Sequence, residues 1–256
     1  MVPPENAVAS QMQTPSGRRR IHLIMLLENT YFSGMSKNTE FVHFLVQAGA
    51  LRFGDFTTKS GRKTPYFINT GEFRTGASIA QLATWYARTF QTVFGDAADN
   101  LYGPAYKGIP LCATTAMALQ QQFGRDLTFT YNRKEAKDHG EGGVLVGDSY
   151  KTPRKVVIIE DVITAGTSVR ETLEILKGIP NAQVVGLLVS VDRRERLENG
   201  LSALAQVEQE YGLKTAAIIS IEDIIAYLEV EANRKALGQD ETLLARVHAY
   251  RKEWGA

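Results

Sequence analysis

The stretch Lys155-Val-Val-Ile-Ile-Glu160-Asp161-Val-Ile-Thr164-Ala165-Gly166-Thr167-Ser168-Val-Arg-Glu-Thr172 decides the reading of this chain. The branched apolar run Val156 to Ile159 has the length and composition of a buried strand, and two acids close it. The turn Thr164 to Ser168 then opens directly into a helical pattern. A helix that begins this way points unpaired backbone N–H groups, and the positive end of its dipole, at whatever lies ahead of it. Gly166 lets the backbone come close to a ligand, and the neighbouring hydroxyls add donors. Taken alone, a strand-turn-helix has a plainer explanation, in which Thr167 or Ser168 is an N-cap and the acids are solvated. The order of residue types argues for a ligand. Glu160 and Asp161 just ahead of a phosphate cup suit a phosphate at one end and sugar hydroxyls nearby, which describes a phosphorylated ribose. The spacing matches neither a P-loop nor Gly-x-Gly-x-x-Gly.

Outward from this segment, short apolar runs alternate with helical stripes. Runs at Leu101-Tyr102, Leu127 to Tyr131, Val156 to Ile159, Val184 to Val191 and Ala216 to Ile219 read as strands. Helical segments at Ala113 to Phe123 and Ser168 to Leu176 lie between them, which predicts βαβ units and a mainly parallel sheet. Upstream, Phe41, Phe44, Leu45 and Ala48 mark a helix over residues 40–50, and Ser78 to Phe94 a second one. Between these two, Leu51, Phe53 and Phe56, then Tyr66 to Ile68, flank Ser60-Gly61-Arg62 as a short antiparallel hairpin. Two late helices, about Ile221 to Leu237 and Glu241 to Trp254, close the pattern.

The 256 residues contain 44% hydrophobic and 22% charged residues, the composition of a globular chain rather than a disordered or membrane-spanning one. Lysine plus arginine number 29 against 28 acids, so no global charge draws the chain to nucleic acid or an anionic membrane, and an anion site has to be local. The single Cys112 excludes an intrachain disulfide, fits a reducing, cytoplasmic compartment, and reads as a core residue. Residues 1–34 lack apolar periodicity, and the run Ile21 to Leu27 falls far short of the roughly 20 residues that cross a bilayer. We expect a disordered extension or a mis-assigned start there, with Met25 or Met35 as the true one, and a single domain over residues 35–256.

The strand, the two acids and the turn resemble the signature of the type I phosphoribosyltransferases. Three further segments bring the resemblance to the orotate phosphoribosyltransferases among them: Phe56-Thr-Thr-Lys59-Ser-Gly-Arg-Lys-Thr-Pro-Tyr-Phe67, Tyr102-Gly-Pro-Ala-Tyr-Lys107-Gly-Ile-Pro-Leu111, and Tyr131-Asn-Arg133-Lys134-Glu-Ala-Lys137-Asp-His139-Gly-Glu-Gly-Gly143. The resemblance runs from about Met35 to the C-terminus. It implies an α/β fold with a five-stranded parallel sheet flanked by helices and a small N-terminal hood. The hood would be mainly residues 35–75, the core about 76–220 and the C-terminal helices 221–254. The implied reaction moves the phosphoribosyl group of 5-phosphoribosyl-1-pyrophosphate to N1 of orotate with Mg²⁺, giving orotidine 5′-monophosphate and pyrophosphate. One position departs from the family's usual pattern, two aspartates where this chain has Glu160 and Asp161, so one carboxylate sits a methylene farther out.

Arg133, Lys134, Lys137 and His139 precede Gly140, Gly142 and Gly143, a cationic segment on a glycine hinge. With Glu135, Asp138 and Glu141 interspersed, it also reads as a solvated loop. By resemblance it is a lid over the other subunit's active site in a homodimer, with Lys137, His139 and Asp161 the catalytic residues. Resemblance likewise gives the sugar diphosphate Lys107, Arg133, Lys134, Lys137, His139, Glu160, Asp161, Thr164, Ala165, Gly166, Thr167 and Ser168. Orotate would meet Lys59, Phe67, Thr164 and Arg193. Mg²⁺ would be held mostly by substrate oxygens and water, so no protein ligand is assigned. Two other readings stay open: transfer to another base, and a non-catalytic regulator on the same fold.

Overall fold

The structure, a computed structural model, describes residues 36–58, 61–137, 143–163 and 166–256. The expectations for residues 1–34, Lys59, His139, Thr164 and Ala165 therefore fall outside the described residues, and Lys137 is described only as strand backbone.

Helix α1, Lys37–Gln47, buries Phe41, Val42, Phe44 and Leu45, the face that its three- and four-residue spacing predicts. Strands β1, Leu51–Thr57, and β2, Lys63–Ile68, pair antiparallel as the expected hairpin. In β2 Thr64, Tyr66 and Ile68 are buried and Lys63 and Phe67 exposed, as a strand with one covered face requires, with the buried Pro65 the exception. Helix α2, Gly76–Val93, starts in a capping box formed by Thr75 and Ser78.

The main sheet contains β3 (Asn100–Gly103), β4 (Thr128–Lys137), β5 (Gly143–Gly147), β6 (Arg154–Ile159), β7 (Ala182–Asp192) and β8 (Lys214–Ser220) in the order β5-β4-β3-β6-β7-β8. The pairs from β4 through β8 are parallel, which accounts for the five strands read from the sequence. A sixth strand, β5, joins the edge antiparallel to β4. Both faces of the sheet are covered, so successive residues of β6 enter different cores. Val157 and Ile159 pack in the core that holds α2 and α3 (Gly108–Phe123). Val156 and Ile158 pack in the one that holds α4 (Thr167–Lys177) and α5 (Ala203–Tyr211).

The predicted late helix over residues 221–237 is two helices, α6 (Ile221–Glu229) and α7 (Glu231–Ala236). Val230 between them has φ −75° and ψ 113°, extended backbone that interrupts the helical ladder. Helix α8, Glu241–Trp254, follows as expected.

This topology positions the site. Strand β3 leads through α3 to β4 on one side, β6 leads through α4 to β7 on the other, and β3 and β6 are neighbours. The order of an open α/β sheet reverses at that point, and the crevice beyond the carboxyl ends of the two strands is where ligands bind. Gly103 ends β3 there. A Cβ on it would lie 2.1 Å from the Gly108 carbonyl oxygen and 2.5 Å from Cys112 Sγ, so only glycine lets α3 pack this close. Cys112 is fully buried beneath the turn, and burial pushes its thiol up to about 12.

Candidate active site

The acids at the end of β6 are each 6% exposed. Their backbone is fixed from two neighbouring elements. Tyr86 of α2 donates its hydroxyl to the Glu160 carbonyl at 2.7 Å, and Ser190 of β7 donates its amide and hydroxyl to the Asp161 carbonyl at 2.9 and 2.5 Å. The Asp161 side chain faces the crevice, where Oδ2 accepts from Lys107 Nζ at 2.8 Å and from Thr70 Oγ1 at 2.9 Å. Lys107 comes from the turn after β3, so this ion pair spans the point where the strand order reverses.

Glu160 behaves differently. Its Oε1 accepts the Asp161 backbone amide at 3.0 Å, so the longer side chain folds back on its own strand end. Burial, and then the neighbouring charge of Asp161, push its carboxyl up to about 7, against the opposing pull of that amide and of the Ser168 hydroxyl. A carboxyl in this state holds or releases a proton near neutrality.

The helix start ahead of the acids has the form the sequence predicts. Gly166 is the N-cap in left-handed conformation, φ 71°, with no side-chain cap hydrogen bond, and the first turn of α4 carries no acid. Thr167 is exposed and Ser168 half-buried. Among the described residues the N–H groups of this turn thus have no side-chain cap and are available to an anion.

The cationic end of β4 lies beside Lys107's turn. Asn132 Oδ1 accepts the Ala105 amide at 3.0 Å, and Lys134 Nζ sits 5.6 Å from the Tyr106 ring centroid. Arg133 is half-buried on the same strand.

Candidate orotate contacts are arranged around the hairpin. The Arg193 guanidinium lies 4.9 Å from the centre of the Tyr66 ring. Phe67, the next residue along β2, is 37% exposed on the opposite face and stacks on Phe56 at 5.5 Å. The side chains of Arg193 and Phe67 thus do not line one wall. Thr70, Tyr86 and Glu195 are site neighbours that the sequence reading missed, and no local motif marks them. Among the described residues, no group of three or more His, Cys, Asp or Glu side chains could hold a metal ion. No helix among them is long and apolar enough to cross a membrane.

A family model for the phosphoribosyl transferase domain matches residues 73–221. The orotate phosphoribosyltransferase of Lachnoclostridium phytofermentans is 47% identical over 216 residues, covering 84% of this chain and 96% of that protein. The orotate phosphoribosyltransferase of Salmonella agona is 46% identical over 216 residues, covering 84% and 97%. The crystal structure of the orotate phosphoribosyltransferase of Francisella tularensis superposes with a TM-score of 0.74 at 36% identity, covering 87% of this chain and 98% of that one. With paired acids ahead of an open helix N-terminus, and relatives that align along most of its length, the chain belongs to the orotate phosphoribosyltransferase family of type I phosphoribosyltransferases.

Proposed function

We propose that the chain transfers the phosphoribosyl group of 5-phosphoribosyl-1-pyrophosphate to N1 of orotate, giving orotidine 5′-monophosphate and pyrophosphate. The observation that carries this reading is the buried Glu160–Asp161 pair, set between the cationic turn of Lys107 and the open N-terminus of α4. The 5′-phosphate sits on the turn Thr164 to Ser168. The ribose hydroxyls take Asp161, and Lys107 exchanges that carboxylate for pyrophosphate oxygens. The C1′–O bond to pyrophosphate breaks while a C1′–N1 bond to orotate forms, with N1 attacking as the ring anion. Acid–base work is slight; positioning and electrostatic stabilisation dominate. Lys137 and His139, with Arg133 and Lys134 behind them, close over the leaving group and stabilise its developing charge while excluding water. The two acids steady the cationic ribose.

Orotate is planar and carries a carboxylate, which Arg193 and Lys59 suit, with Thr164 as a further contact; Phe67, on the face of β2 opposite the Tyr66–Arg193 pair, falls outside that wall. A hard divalent cation that keeps most of its ligands from substrate and water needs only one or two carboxylates from the protein, and Glu160 and Asp161 supply that number. Held by these carboxylates and by substrate oxygens, Mg²⁺ would neutralise charge on the pyrophosphate. In this reading residues 35–75 form the hood, 76–220 the core and 221–254 the closing helices, the lid serves the partner subunit of a homodimer, and the single cysteine suits a cytoplasmic setting.

The test is the loss of orotate's ultraviolet absorbance with 5-phosphoribosyl-1-pyrophosphate and Mg²⁺, with hypoxanthine and uracil in parallel. Loss with orotate alone supports the proposal. Conversion of another base in its place discards the orotate pocket, and silence with every base in sugar-binding protein favours a regulator.

A further inference from the structure

The loop after β7 carries a second charged cluster whose purpose the transfer chemistry leaves unassigned. Glu195 Oε1 accepts Arg193 Nε at 2.8 Å and the Tyr250 hydroxyl at 2.8 Å, and its Oε2 pairs with Arg62 Nη1 at 3.3 Å. These partners come from three places: Arg193 from the end of β7, Arg62 from the hairpin turn and Tyr250 from α8. Arg62 in turn stacks over Trp254 at 4.1 Å, and the Tyr250 ring meets Tyr66 edge-on at 5.8 Å. The backbone is pinned as well. Arg196 N bonds the Trp254 carbonyl at 2.7 Å, Ala256 N bonds the Arg194 carbonyl at 2.8 Å, and Glu195 forms a bridge with Gly255.

Two guanidiniums share one carboxylate here, so the cluster keeps a surplus positive charge. Burial holds the phenols of Tyr66 and Tyr250 in their neutral form, so neither cancels that charge. Arg193 is only 11% exposed at its side chain, and its Nη2 is buried in ionic contact with Glu195, so the edge formed by Nε and Nη2 is taken up by that carboxylate. A guanidinium held by one edge offers its remaining donors in a fixed plane, which suits a planar carboxylate.

We infer that Glu195 is a positioning residue for orotate: it holds Arg193 by one edge, flat on Tyr66, and leaves a net positive charge for the carboxylate of the base. The inference rests on the assignment of Arg193 to orotate. It makes the hairpin turn and the C-terminal helix parts of base selection, because both hold the residue that holds the arginine.

The experiment is steady-state kinetics of Glu195→Gln, Glu195→Asp, Arg193→Ala and the double variant, with thermal melts of each. Losing a charge-assisted bond of this kind corresponds to about a ten- to hundredfold change, so Glu195→Gln raises KM for orotate by that factor. KM for the sugar diphosphate stays within about twofold, the preference for orotate over uracil narrows, and the aspartate variant recovers part of the loss. Because Glu195 acts through Arg193, the double variant is no worse than Arg193→Ala. Tyr250→Phe removes one bond to Glu195 while leaving the charges in place, and gives a smaller rise of the same kind if Glu195→Gln fails to fold. Normal orotate KM in folded Glu195→Gln, beside a raised one in Arg193→Ala, overturns the positioning role alone. Equal rises for both substrates also overturn it and leave a structural role. Normal orotate KM in Arg193→Ala removes the arginine from the pocket and the inference with it.

Discussion

Glu160 is where this chain's chemistry departs most from two matched aspartates. Its carboxyl titrates near 7 in the folded protein against 4.5 for the ordinary group, because it is buried beside another charge. Between these values the native state binds more protons than the unfolded chain, so this residue makes stability fall as pH rises from about 4.5 to about 7. Above that window its full cost remains. Glu160→Gln keeps the oxygen that accepts the Asp161 amide and removes the titration, so the variant melts higher than wild type at pH 8 and nearly alike at pH 5. Equal gains at both values, followed by calorimetry, would show that titration of Glu160 is not the source. The acids, Lys107 and the glycine turn were legible because their chemistry is written in short contiguous motifs. Thr70 and Tyr86 were not, since they reach the acids across 91 and 74 positions of sequence and only the folded sheet brings them there.

At the scale of elements, the turn into α4 concentrates the demand on Gly166. A Cβ there meets nothing closer than Ile163 Cδ1 at 3.7 Å, so space is not the obstacle; the left-handed φ of 71° is. Gly166→Ala is expected to cost about 1–2 kcal/mol of stability. It should also weaken binding of the sugar diphosphate, because the relaxed turn no longer aims its N–H groups at the phosphate. Calorimetric titration reads the second effect separately, and an unchanged affinity in a destabilised variant would detach this turn from phosphate binding. Strong periodicity made α1, α2, α4 and α8 readable to within a few residues. Strand β5 escaped because Val144-Leu145-Val146 is a short run beside glycines, and it is a strand only through pairing with β4. Helix α5 carries a Ser202 cap and a left-handed Gly212 at its end, signals present in the sequence and passed over. The break at Val230 has neither glycine nor proline to announce it.

For the whole molecule, the proposal that the lid is shared between two subunits predicts a complementation that a monomeric site cannot give. Lys137→Ala removes a donor worth about 3–4 kcal/mol of barrier, or 10²- to 10³-fold in kcat, and Asp161→Asn disables the ribose side of the same site. Mixed and allowed to exchange subunits, the two variants form hybrid dimers with one intact site each, which restores roughly a quarter of wild-type activity if half of the dimers are hybrids. No recovery would mean that each lid closes over its own subunit.

The close seating of Cys112 under Gly103 has a consequence for how opening of the crevice can be timed. The only thiol in the chain lies at the foot of the turn that presents Lys107. A disulfide-exchange reagent reaches it only when α3 lifts from β3, so the colour released per second counts those excursions. Occupancy of the turn by a sugar diphosphate at a hundred times its Kd slows that count about a hundredfold if lifting abolishes binding. A labelling rate indifferent to the diphosphate would place the excursion elsewhere in the molecule.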